Sequence, residues 1–262
     1  MRSRHGTLIW IPALVVWLVA GVAAAPASEK PQTVVAAGTS EPLGALKRPG
    51  DTVVLSDERR TTRWAHVKER SKIHSAPRGS ARSLGRLHFM TEDGLAEVYL
   101  VLDGRMDALG RRWLHLRIPT RPNGSTGWVL ESALSPLHAV RTQLVIDRRA
   151  LRASLYRDGK RIWNASVGVG KRSTPTPSGS FWIRERLRGL GDSTAYGPWA
   201  FGTSAYSNLS DWPGGGVVGI HGTNQPGLIP GRPSHGCVRI RNDKIRLLAR
   251  LMPLGTPVRI TS

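Results

Sequence analysis

Short runs of alternating apolar and polar residues, broken by Gly, Pro, Asn and Asp, fill the chain from about residue 63 to its end. Alternation with period two is the mark of half-buried strands. It predicts strands over residues 96–102, 112–118 and 127–129, with Asp103-Gly104 and Asn123-Gly124 as turns. After Thr142 the same rhythm predicts strands over 143–147, 153–157, 161–165, 166–170, 180–183, 217–220 and 256–260. Asp158-Gly159 between two alternating runs is a strong hairpin signal. Thr174-Pro175-Thr176-Pro177-Ser178-Gly179 reads as a rigid double turn, and residues 187–216, rich in Gly, Ser, Tyr and Trp, read as loops. One segment changes period. Ile245, Leu248 and Leu251 share a helical face, Asn242 is placed to cap it, Asp243 suits its first turn, and Pro253 and Gly255 stop it. The pattern predicts a mainly β chain with one short C-terminal helix.

The N-terminal end reads differently. Residues 1–27 carry a basic start (Arg2, Arg4, His5), an uncharged apolar run over 8–25, and small residues at Ala25-Pro26-Ala27. That is a secretory signal pattern. The run is also just long enough for an uncleaved membrane anchor. Either reading places the rest of the chain outside the cytoplasm, in a periplasm or cell envelope. Residues 28–62 have no clear period and read as a linker. Short strands with regular turns over 63–136 suggest a small barrel. With its Gly127-Trp128-Val129 strand, this region resembles bacterial SH3-like domains, which implies a wall contact or a plain spacer. A second domain is expected over 141–261.

Composition narrows the chemistry. The chain has 262 residues and a net charge of +20, from 38 basic and 18 acidic side chains. Such a balance suits an anionic partner or simply a solvated basic surface. Export argues against nucleic acid. His66, His74, His88, His115 and His138 show no metal-ligand spacing, and no glycine-rich phosphate loop follows a strand, so no cofactor or metal is called for.

Cys237 is the only cysteine. A lone cysteine is ordinarily a small buried hydrophobe. In an exported chain it cannot close an internal disulfide, and a purely structural thiol there is an oxidation liability. It also stands among histidines: Ile220-His221-Gly222-Thr223 ends a strand, and a Pro/Gly loop leads to Ser234-His235-Gly236-Cys237-Val238-Arg239. Imidazole is the side chain matched to taking a proton from a thiol near neutral pH. Gly236 permits a tight turn that leaves the amides of Gly236 and Cys237 available to an oxyanion.

These residues give the second half a resemblance to the L,D-transpeptidase (YkuD-like) catalytic domain. The Thr176-Pro177-Ser178-Gly179-Ser180-Phe181 turn and the opening hairpin also fit. The resemblance implies a β-sandwich-like fold following the SH3-like barrel. It implies a cysteine enzyme that cuts a peptidoglycan tetrapeptide stem before its terminal D-alanine, holds a thioester, and passes it to an amine, commonly that of another stem. Some relatives attach a lipoprotein instead, and some hydrolyse. Cys237 becomes the nucleophile and His221 its base, oriented by the Gly222 carbonyl. The amides of Gly236 and Cys237 with the His235 side chain hold the oxyanion, and Arg239 and Ser234 face substrate, Ser234 shaping the turn rather than reacting. Papain-type and NlpC-type hydrolases place Cys before His, the reverse of this chain. A sortase lacks a match to its Thr-Leu-x-Thr pattern here. A non-catalytic wall-binding protein, with an inert Cys237, is the reading of another class.

Overall fold

The computed structural model describes residues 42–262 except positions 190 and 212. The expected signal or anchor (1–27) and the first part of the expected linker lie outside the described residues. No helix among the described residues is long and apolar enough to cross a membrane.

The first sheet comprises β1 (Thr52–Val54), β2 (Thr62–Ala65), β3 (Lys72–His74), β4 (Ser83–Arg86), β5 (Tyr99–Met106), β6 (Arg112–Arg117), β7 (Thr126–Leu130) and β8 (His138–Val140). Its order is β4-β3-β7-β6-β5-β2-β8, with β1 also on β5. Leu55, Ile73, Tyr99, Val101, Leu114, Leu116 and Val129 form its core. The β5–β6 turn is set by Asp107, whose Oδ1 accepts the amides of Leu109 and Arg111, each at 2.9 Å. The sheet starts earlier than the expected boundary at residue 63. β1 lies within the presumed linker, Leu46 and Leu55 are buried, and Glu58 takes the Arg117 guanidinium at 2.6 Å. Long-range partners, which periodicity does not report, order this segment.

The second sheet comprises β9 (Thr142–Asp147), β10 (Arg152–Arg157), β11 (Lys160–Gly170), β12 (Gly179–Trp182), β13 (Leu187–Arg188), β14 (Trp199–Tyr206), β15 (Val217–His221), β16 (Gly231–Ser234), β17 (Val238–Ile240) and β18 (Pro257–Thr261). Its order is β12-β18-β9-β10-β11-β17-β15-β14-β13, and β16 also joins β11. Asp158 and Gly159 both have positive φ, the requirement of the tight hairpin their sequence announces. β11 runs unbroken where two strands were expected. Its first part pairs with β10, and its end turns to β17 and β16, so one strand carries the sheet towards the Cys237 loop.

β14 corrects the expectation of loops over 187–216. It is buried along nearly its whole length, so it has no alternation to read. Gly202 within it is necessary, because a Cβ there would lie 2.1 Å from Glu185 Oε2. The helix α1 (Asn242–Leu251) forms as expected and packs Ile245, Leu248 and Ala249 on Leu144, Leu155, Phe201 and Ile240. Asn242 does not cap it. The N-cap is Arg241, which makes no side-chain capping bond.

The two sheets share a third, small core of Trp64, Val98, Leu100, Val140 and Trp182. Trp182 Nε1 donates to the Val98 carbonyl at 2.7 Å. Beside it Arg184, almost wholly buried, forks onto the Glu97 carboxylate and reaches Glu92 at 3.0 Å. Such a pair costs heavy desolvation, so losing one partner is worse than losing both. Arg184→Met is expected to lower the unfolding free energy in urea by about 3–5 kcal/mol, and Arg184→Met with Glu97→Met to recover most of that loss.

Candidate active site

β15 and β17 are parallel neighbours, with Ile220 opposite Val238 and His221 opposite Arg239. Val218 and Ile220, both buried, drive β15 into the core and leave His221 at its end. Cys237 stands at the entrance to β17, beside Gly219, whose N–H donates to Cys237 Sγ at 3.4 Å. A methyl placed on Gly219 would sit 3.6 Å from His221 Cδ2 and 3.7 Å from Cys237 Sγ. The Nε2-bearing edge of the imidazole and the sulfur therefore flank one spot. Both line a cleft of about 160 Å³ with Tyr196, Ser207, Val217, Ser234, His235, Gly236 and Arg239.

His221 Nδ1 lies 2.6 Å from the Gly222 carbonyl. A carbonyl only accepts, so Nδ1 carries the proton and Nε2 keeps its lone pair. The turn that presents this carbonyl is held from behind. Asn242 Oδ1 accepts the Thr223 N–H at 2.8 Å, and Asn242 Nδ2 donates to the Asp192 carbonyl at 3.2 Å. A Cβ on Gly222 would lie 2.5 Å from that same Oδ1 and 2.9 Å from Pro198 Cδ, so only glycine fits. The Tyr196 ring covers the imidazole at 4.9 Å between centroids.

On the sulfur side, Gly236 has φ of +133° and a Cβ there would meet Ser207 Cβ at 3.1 Å. Thr176 Oγ1 donates to the Gly236 carbonyl at 2.7 Å and accepts the Gly170 N–H at 2.9 Å. The double turn thus anchors the nucleophile loop to β11. Ser234 is buried; its hydroxyl donates to the Cys237 carbonyl at 2.5 Å and accepts the Gly236 N–H at 3.2 Å. Two expectations change with this. Ser234 is spent on the turn rather than turned to substrate, and the Gly236 amide is engaged within the loop rather than aimed into the cleft. His235 is exposed and lines the cleft. Arg239 lines the cleft, donates from Nη1 to Gln225 Oε1 at 3.0 Å, and has a buried Nε without a hydrogen-bond partner.

Burial pushes the His221 pKa down to about 4, opposed by the bond to Gly222 and reinforced by the Arg239 charge. Burial pushes the Cys237 thiol up, against the Gly219 N–H and the Arg239 charge. Both directions favour a neutral thiol beside a neutral imidazole. Such a pair suits proton transfer from thiol to imidazole during attack rather than an ion pair at rest.

Sequence reasoning missed the work of Gly219, Tyr196 and Thr176, and read Asn242 as a cap. Asn242 was visible as a motif residue, but its partner Thr223 lies across the fold.

Residues 141–260 match the family model of the L,D-transpeptidase catalytic domain, YkuD. The putative L,D-transpeptidase YkuD of Bacillus subtilis is 40% identical over 94 residues, 36% of this chain and 50% of that protein. Its Bacillus licheniformis counterpart is 36% identical over 121 residues, 46% of this chain and 65% of that protein. The crystal structure of a mutant Enterococcus faecium L,D-transpeptidase is 25% identical, covers 46% of this chain and 49% of its own, and has a TM-score of 0.37. The second sheet with its helix thus lies in the region that matches the L,D-transpeptidase catalytic domain. The chain spans between half and about two thirds of the two Bacillus relatives.

Two outcomes follow from the site. Alkylation of Cys237 by iodoacetamide should rise as pH passes about 4, where His221 loses its proton, and Arg239→Gln should move that limb to higher pH by removing a neighbouring positive charge. Thr176→Val strands the buried Gly170 N–H and Gly236 carbonyl; it should cost about 1–3 kcal/mol in thermal unfolding and slow the alkylation.

Proposed function

We propose that the protein is a peptidoglycan L,D-transpeptidase that forms 3→3 cross-links with release of D-alanine. The observation that carries the reading is one cleft holding Cys237 Sγ beside an imidazole whose tautomer is fixed by the Gly222 carbonyl. The domain match over 141–260 supplies the reaction class.

The steps balance within the residues present. Cys237 Sγ attacks the carbonyl before the terminal D-alanine, and its proton passes to His221 Nε2. The Cys237 amide and the His235 side chain stabilise the oxyanion. Collapse forms the thioester, and the departing amine takes the proton from Nε2. The side-chain amine of a second stem then attacks the thioester, gives its proton to Nε2, and receives the acyl group as the thiol is restored. A thioester is reactive enough for an amine to compete with water, and the amide lost matches the amide gained, so no external energy source is needed. Arg239, which lines the cleft, binds a carbonyl or carboxylate of the stem.

In the same reading residues 1–27 export the chain to the envelope, as a signal or an anchor. The first sheet is an SH3-like wall contact or spacer.

Purified disaccharide-tetrapeptides incubated with the protein should yield free D-alanine and a dimer linked between third residues, seen by mass spectrometry, and Cys237→Ala should yield neither. Hydrolysed tripeptide without dimer would replace the transferase with a carboxypeptidase. Acyl transfer to a lipoprotein alone would replace the acceptor.

A further inference from the structure

Part of the cleft wall is Ser207, the residue after β14, together with Val217 and Val218 at the start of β15. β14 pairs with β15 at Gly202 opposite Gly219, then slips, and pairs again at Tyr206 opposite Val217. There the Ser207 N–H donates to the Gly216 carbonyl at 2.9 Å. The residues between are bulged out of the ladder, so the strand end is joined to its own sheet by this short stretch of pairing.

Further partners for the strand end come from the other sheet. Asn123, in the loop joining β6 and β7, uses its side-chain amide as a surrogate strand. Its Nδ2 donates to the Tyr206 carbonyl at 2.8 Å, and its Oδ1 accepts the Tyr206 N–H at 2.9 Å. Arg121, two residues earlier, places its guanidinium 4.7 Å over the Tyr206 ring. Its Nη2 donates to the carbonyls of Ser207 at 3.1 Å and Gly215 at 2.9 Å. Gly216, at φ of +80°, makes the room: a Cβ there would stand 2.7 Å from that Nη2. The Tyr206 hydroxyl donates to Glu92 Oε1 at 2.5 Å. The fixed segment touches the nucleophile loop, since Ser207 Cβ is the atom that a Cβ on Gly236 would strike.

We propose that Arg121 and Asn123 are positioning residues for the reaction: the β6–β7 loop of the first sheet clamps the Ser207 wall and so completes the substrate cleft of the second. The first sheet is then a working part of the catalytic unit and not only a spacer or a wall contact. The inference rests on the cleft being the stem-peptide site proposed above. Both side chains lie at the exposed rim, so their loss does not open the core.

The test uses the full chain with Arg121→Ala, Asn123→Ala and Arg121→Lys. The alanine variants should raise KM for the disaccharide-tetrapeptide about tenfold with a smaller change in kcat, while Cys237 alkylation by iodoacetamide and the melting temperature stay near wild type, because a wall displaced by about an ångström misplaces substrate without touching the thiol. Arg121→Lys should fall between. Amide exchange at Ser207 and Val217 should quicken in the alanine variants. Unchanged exchange would overturn the clamp, and so would unchanged KM in an active enzyme or a parallel fall in alkylation and melting temperature. Wild type without action on the tetrapeptide would sink the transpeptidase reading, and the exchange readout would still decide the clamp.

Discussion

The hydrogen bond from His221 Nδ1 to the Gly222 carbonyl is the constraint on which the site depends. It fixes which nitrogen can take a proton and holds the ring where Nε2 faces the sulfur's side of Gly219. A backbone carbonyl does here what a carboxylate does in a Ser-His-Asp arrangement, with less charge. Lower charge suits this place. A second ion beside a buried imidazole would stabilise imidazolium, whereas the carbonyl leaves His221 neutral and ready to accept. The bond depends in turn on Asn242, which ties the 222–223 turn to the head of α1, and on the glycines at 222 and 197 that let the chains approach. The helix is therefore more than cover for the sheet: its first residue is part of the support for the base.

The thiol is supported from the other direction. β11 delivers Gly170 to Thr176, Thr176 reaches the Gly236 carbonyl, and Ser234 closes the turn on Cys237. His221 and Cys237 thus come from two adjacent parallel strands but are held by separate sets of side chains. A neutral pair needs no counter-ion at rest, and in the proposed reaction charge develops only as the proton moves, beside the Gly219 N–H and Arg239. The buried Glu97–Arg184 pair and the Arg121–Asn123 clamp join this domain to the first sheet at two points.

Much of this was legible in the chain. The Asp158-Gly159 hairpin, the alternating strands and α1 follow from local period and turn chemistry, and His221 with Cys237 stood out because the one thiol of a chain expected to be exported sits among imidazoles. What escaped is non-local. β14 is buried on both faces and has no period. Asn242 resembles a cap until Thr223 is brought to it. Ser234 and the Gly236 amide resemble free donors until the turn closes and they satisfy each other. The start of the first sheet near Thr52 is ordered by partners such as Arg117 that lie far along the chain.

The central claim is that a neutral, Nδ1-protonated His221 takes the Cys237 proton during attack. Nitrogen-15 NMR of the imidazole tests it most directly. At neutral pH the His221 ring should show a protonated Nδ1 and an unprotonated Nε2, and should gain its second proton only near pH 4. An imidazolium at neutral pH that turns neutral when Cys237 is changed to Ser would mean a preformed thiolate pair and would contradict the account.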